Sequence, residues 1–162
     1  MMQFRMAYLM LLFVCFTIIG CGGATSPREP QSLKDKAKDL VPLTGEVTVD
    51  GSPAADLSVT AVKEDGLAEH QKYTNAGMAS PVATIGSVAP DGKFSFTTRD
   101  RNDGLPPGKY ILFFTKVIEK GVDNPKAESF NSQYGDPETS TYKVTLEKGT
   151  PQNMGKIDLK AP

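Results

Sequence analysis

From Leu43 onward, apolar side chains recur at every second position in short runs separated by turn residues, the pattern of strands with one buried face. Thr44 to Val49 places Val47 and Val49 on one face and Thr44, Glu46 and Thr48 on the other, and it ends at Asp50-Gly51-Ser52-Pro53. Leu57, Val59 and Ala61 then alternate with Ser58, Thr60 and Val62, so these two runs are expected to be strands joined by a tight connection. Pro81 to Val88 and Lys93 to Thr98 flank Ala89-Pro90-Asp91-Gly92, whose Asp-Gly pair supplies the positive φ that a reversal needs. Lys109 to Val117 is apolar on both faces, as in a strand covered on both sides. Thr141 to Leu146 and Gly155 to Lys160 complete the series, with Lys148-Gly149 turning the chain between them. About seven strands in some ~118 residues, with almost no helical periodicity, predict an all-β fold: a single antiparallel β-sandwich over residues 43–162, long enough to bury its own core.

Upstream the pattern changes. Met1 to Met6 carries Arg5 and no acid, and Ala7 to Ile19 is apolar apart from one threonine, which are the n- and h-regions of a secretory signal. The run is about 13 residues long against the roughly 18 to 20 that a spanning helix needs, and no stop-transfer cluster follows. It ends Ile18-Ile19-Gly20-Cys21, which resembles the lipobox of bacterial lipoproteins. That resemblance implies a diacylglyceryl thioether on Cys21, cleavage after Gly20, and acylation of the new N-terminus. One acyl chain binds membranes only reversibly, whereas two or three hold a protein there. Residues 1–20 are therefore expected to be a cleaved signal peptide and 21–42 a lipidated cysteine with a flexible tether. Gly22 to Val41 is polar and charged, and about 20 residues of coil average roughly 25 Å end to end. Ser32 to Asp39 could form a short helix within it, with Ser32 as N-cap.

Cys15 leaves with the signal and Cys21 is capped, so the mature chain offers no thiol for a disulfide, a metal site or a nucleophile. Lys and Arg number 18 against 19 Asp and Glu, and the bases do not cluster with aromatics, so nucleic acid is not an expected partner. The single histidine, His70, lies in the polar stretch Glu64 to Lys72 and reads as a solvated loop residue; no Gly-x-Ser-x-Gly elbow accompanies it. Gly104-Leu105-Pro106-Pro107-Gly108-Lys109 has phosphate-loop colouring, but its prolines offer no N–H, so it reads as a strand-entry turn. Asp100-Arg101-Asn102-Asp103-Gly104 lacks calcium-loop spacing and reads as a turn. Ile118 to Ser140 is far longer than a hairpin loop, and such loops carry function or mobility. Its aromatics, Phe130 and Tyr134, are candidate contacts to a glycan or protein partner, with the alternative that both rings plug the end of the sandwich. A rival reading takes Asp100, Asp103, Asp136 and Glu138 as the carboxylates of a metal-dependent hydrolase. No cofactor, metal site or catalytic set is expected.

In order along the chain, Gly45-Glu46-Val47-Thr48-Val49-Asp50-Gly51-Ser52-Pro53, then Pro90-Asp91-Gly92-Lys93-Phe94-Ser95-Phe96, then Leu105-Pro106-Pro107-Gly108-Lys109-Tyr110 resemble the signature of carboxypeptidase regulatory-like domains. With the lipobox and Tyr134-Gly135-Asp136-Pro137-Glu138, the chain is similar to small bacterial lipoproteins built on that domain. The resemblance implies a transthyretin-like fold and an accessory, adhesive or binding role. The enzymatic branch of that fold, the hydroxyisourate hydrolases, uses several histidines and a C-terminal Tyr-Arg-Gly-Ser, whereas this chain has one histidine and ends Leu159-Lys160-Ala161-Pro162. Gly22 after the cysteine resembles lipoproteins sent to the outer membrane. The expectation is a non-enzymatic cell-envelope module anchored in the bilayer through Cys21, with an envelope protein or polysaccharide as partner.

Overall fold

Residues 39–54, 56–118 and 121–162 are described by the computed structural model; the signal segment, Cys21 and most of the tether lie outside them. Among the described residues eight strands follow one another: β1 (Leu43–Val49), β2 (Ser52–Pro53), β3 (Leu57–Lys63), β4 (Ala83–Val88), β5 (Lys93–Phe96), β6 (Gly108–Lys116), β7 (Tyr142–Leu146) and β8 (Gln152–Leu159). Two helices interrupt them, α1 (Leu67–Asn75) after a 3-10 turn at Glu64–Gly66, and α2 (Pro125–Tyr134). The strands form one curled sheet in the order β8-β1-β5-β4-β3-β6-β7, with the two-residue β2 beside the end of β1. Every pair is antiparallel except β1 with β8.

The all-β class and the β4–β5 hairpin are as the alternation predicts: Gly86 faces Phe96 and Val88 faces Phe94, with Gly92 at φ 82° in the turn. Two connections differ. Asp50 and Gly51 both take positive φ, as a tight reversal requires, but only Val49 and Thr48 pair beyond it, with Ser52 and Pro53. Pro53 has no N–H to extend that ladder, so the chain leaves, and β3 instead pairs with β4 and β6. At the other end, β8 does not return along β7 but runs parallel to β1, Val47 beside Ile157 and Val49 beside Leu159. Because β7 and β8 hold opposite edges yet are joined only by residues 147–151, the sheet must curl until its edges approach. That curl encloses the core.

Inward positions from β1, β3, β5, β6, β7 and β8 meet in one cluster, with Phe94 and Phe96 edge-on at 6.1 Å and Phe114 edge-on to Tyr142 at 5.3 Å. Val41, which the pattern leaves in the tether, is fully buried and exchanges backbone hydrogen bonds of 2.8 and 3.0 Å with Leu105, so the folded unit starts before Leu43. Ahead of β6, the Tyr110 hydroxyl donates to the Pro106 carbonyl at 3.0 Å, fixing the Pro-Pro-Gly approach as a corner of the kind seen in Greek-key sandwiches. Burial, reinforced by Asp65, pushes that hydroxyl's pKa up to about 12.

The β1–β8 junction is tied at its far end by Asp158. Its carboxylate accepts from Thr48 Oγ1 and the Gly51 N–H, both at 2.8 Å, and from Lys160 Nζ at 2.7 Å. The Lys160 contact, then the Gly51 and Thr48 donors, hold its carboxyl well below the usual carboxylate range. A depressed folded pKa adds stability that is present above the unfolded value and lost as pH falls. The melting temperature of the wild type is therefore expected to exceed that of Asp158→Asn at neutral pH, with the gap closing as pH drops below about 4. A gap that persists unchanged into strong acid would show that the carboxylate charge contributes nothing.

Candidate functional site

The outward face of β3 and β6 is not left to water. Val62, Ile111 and Phe113 are buried there, and α1 follows β3 by way of the 3-10 turn. The helix is polar and short; Glu69 in its first turn and Lys72 in its last suit the helix dipole, and His70 is its one buried residue. His70 is 6% exposed, with its ring 5.6 Å from that of Phe113 and tilted 57°. The expected solvated loop histidine is thus corrected to a helical one seated on the sheet. Alternation alone could not reveal this, because a polar nine-residue helix with one inward side chain has almost no apolar stripe. Burial lowers the imidazole pKa below its ordinary value, so the ring is neutral at pH 7.

Beside His70 lies a cleft of about 540 Å³. Its floor is Phe113, Thr60, Ala83 and Ile85, the last 68% exposed. Polar side chains of α1, including Gln71 and Asn75, form one wall, and Asp136 and Glu138 the other. Met78 and Ser80 close one part of the rim. Two buried polar atoms here, His70 Nδ1 and Ser80 Oγ, have no hydrogen-bond partner. Buried polar groups are normally satisfied, so such orphans mark a place where a partner is missing. A larger groove of about 670 Å³ runs across β1 and β5, but Glu46 and Lys156 in it pair with each other at 4.0 Å, Lys93 pairs with Asp91 at 2.7 Å, and Ser95 bonds Asn102. Most of its charged groups are thus already paired. The His70 cleft is the stronger candidate.

Of the residues singled out from sequence, Asp136 and Glu138 line this cleft and Asp100 and Asp103 do not. Asp103 is a turn anchor: its carboxylate accepts the N–H groups of Thr98, Arg99 and Asp100 at 2.7 to 2.8 Å. Partial burial disfavours its charge, but those donors outweigh it and leave the carboxyl below its ordinary range. The four carboxylates are therefore not one constellation, and among the described residues no three His, Cys, Asp or Glu side chains are grouped to hold a metal. Ser80 and His70 share the cleft, yet the serine hydroxyl bonds to nothing, so no nucleophile–base hydrogen bond joins them.

Phe130 and Tyr134 lie elsewhere, on α2, where a loop was expected. Asn124 caps that helix, accepting from the Ala127 N–H at 3.1 Å, and Pro125 opens its first turn. Phe130 is fully buried, 4.8 Å from the Tyr134 ring and 5.3 Å from Lys116 Nζ, so as a contact to an external ligand it is corrected: it has no accessible surface. Tyr134 is half-buried, and its hydroxyl accepts from the Lys160 N–H at 2.9 Å and Gln133 Nε2 at 3.0 Å. Sequence reasoning missed Asn131, whose amide imitates a strand by accepting from the Lys116 N–H at 2.7 Å and donating to the Lys116 carbonyl at 3.1 Å. Cys21 lies outside the described residues. Among the described residues no helix is long and apolar enough to cross a membrane. Compared with known proteins, this chain matches no family model, no curated protein and no solved structure.

Proposed function

We propose that the chain is a lipid-anchored protein of the cell envelope whose curled β-domain is a non-enzymatic binding or structural module. The single observation that carries the binding part is the His70 cleft, an apolar floor with polar walls and unsatisfied polar atoms in which serine and histidine are not bonded to each other. Such a concavity of about 300 to 1,000 Å³ with a few polar groups is what a ligand site needs. The anchoring part rests on Ile18-Ile19-Gly20-Cys21 and on the spacer between Cys21 and Val41, which lets the domain stand off the bilayer while remaining fixed to it. The partner would be an envelope protein or polysaccharide, and the outer membrane is favoured by Gly22.

Cys21→Ser is expected to abolish labelling by a clickable palmitate analogue and to move the protein from the membrane to the soluble fraction. Membrane retention without label would remove the anchor reading. For the domain, intact cells are cross-linked, the protein is purified from the membrane fraction, and adducts are identified by mass spectrometry. A reproducible adduct on the peptides bearing Gln71 to Ser80 or Asp136 to Glu138 supports the binding module. Hydrolysis of envelope material that is lost on chelation, or on replacing Asp136 and Glu138, would instead support the metal-dependent hydrolase.

A further inference from the structure

The walls of the His70 cleft are not neutral. Asp136 and Glu138 contribute two carboxylates, that of Asp136 accepting the Glu138 N–H at 2.9 Å, and among the described residues no lysine or arginine lines the cleft to answer them. The other polar groups that line it are uncharged amides and hydroxyls, and beneath them lies an apolar floor that reaches Ile85, 68% exposed, with Met78, 53% exposed, adding hydrocarbon at the rim. The independent observation is His70, 6% exposed and lining the cleft with its Nδ1 unpartnered. A neutral imidazole has one nitrogen able to accept a hydrogen bond, so the ring can answer a donor bound against it in the cleft.

We infer that the cleft takes an organic cation on an apolar stem, an alkylammonium or guanidinium group held by Asp136 and Glu138 with its stem over Phe113, Ala83 and Ile85. An ammonium carries only donors, which matches a site built of carboxylates, amide oxygens and an accepting imidazole. An anion would meet two like charges, and a purely apolar ligand would leave the carboxylates partly desolvated without compensation. The same head and stem occur in free polyamines and in lysine or arginine side chains of a protein. This inference rests on the reading of the domain as a binding module.

Because His70 is the chain's single histidine, its ring gives one resolved set of signals. Full-length protein with isotope-labelled histidine, in detergent, is titrated with 1,5-diaminopentane and with the peptide acetyl-Leu-Lys-Leu-amide. Their neutral counterparts are 1,5-pentanediol and the same peptide acetylated on its lysine. The expected result is a saturable shift of the His70 signals by a cation and none by its neutral counterpart. Asp136→Asn combined with Glu138→Gln should weaken that binding by about tenfold. Saturation by the diamine assigns the cleft to free amines, and saturation by the peptide alone assigns it to a protein's basic side chain. No saturable shift from either cation, or equal shifts from the neutral compounds, would overturn the inference. Since the neutral compounds are compared on the wild-type protein, the outcome does not depend on the double variant folding. Cross-linked adducts could still appear elsewhere on the domain in that case, so the failure of this site and the failure of the module reading are distinguishable.

Discussion

Phe130→Ala should cost the domain about 3 to 5 kcal/mol, the loss typical of a fully buried aromatic replaced by a methyl group. The ring is inaccessible, and it is the side chain by which α2 enters the same core as Phe114, Leu112 and Tyr110. Truncation leaves a cavity, removes the 4.8 Å contact with Tyr134, and takes away the face on which Lys116 Nζ rests at 5.3 Å. The two Asn131 bonds fasten the helix to the end of β6 and so oppose its collapse into the space. Urea unfolding of the wild type and the variant measures the difference. Tyr134→Phe is the useful companion, because it keeps the ring and loses only the hydroxyl that accepts from the Lys160 N–H, a change worth about 1 kcal/mol. A loss below about 1 kcal/mol for Phe130→Ala would mean that α2 does not pack on the core as described.

Gly104→Ala should cost about 2 to 4 kcal/mol, the sum of backbone strain and overpacking. Gly104 sits at φ 93°, where a side chain is strained whatever the space, and a methyl group there would also drive into the Val41 carbonyl. That carbonyl is the acceptor of the Leu105 N–H in the bridge that closes the start of the domain. Gly149→Ala separates the two causes: it has φ 77° but open space around it, so strain alone, about 1 kcal/mol, is expected. Denaturant melts of the two variants give the comparison, and equal losses would dispose of the close approach to Val41. Hydrogen exchange gives an independent reading, since Gly104→Ala should speed exchange of the Val41 and Leu105 amides in particular.

The fold was legible wherever one side of a strand is buried and the other is wet. Val47, Phe94, Phe96 and Leu146 are buried as their alternation implies, and Asp91-Gly92 marks the β4–β5 hairpin. Pairing across distance was not legible. Nothing local in Gly155 to Lys160 distinguishes a return along β7 from a place beside β1, since alternation fixes which face is buried and not which neighbour lies at the edge. The helices were missed for a different reason. Each buries only one or two side chains, His70 on α1 and Ala127 with Phe130 on α2, so their periodicity is too faint to read, although Asn124-Pro125 is a helix-start signal that could have been weighed. For the candidate site, Asp136 and Glu138 were visible as loop acids. Their meeting with His70 is made by α1 seating that residue on Phe113 and by the chain after α2 reaching the same cleft, a juxtaposition of segments about 65 residues apart that no spacing rule encodes.

The parallel pairing of β1 with β8 sets how the domain responds to tension. β1 enters at Leu43, next to the tether proposed to end at a membrane-held cysteine, and β8 leaves at Leu159, with both strands running the same way. A pull between the chain ahead of Leu43 and the chain after Leu159 therefore acts along the two strands in opposite senses. It loads the whole ladder from Leu43–Gln152 to Val49–Leu159 at once, in shear, instead of opening it one bond at a time from an end. Asp158, gripping Thr48 and Gly51 across that ladder, adds side-chain bonds that such sliding must also break. The architecture is that of a mechanical clamp, which resists force along its strands by all of its ladder bonds together.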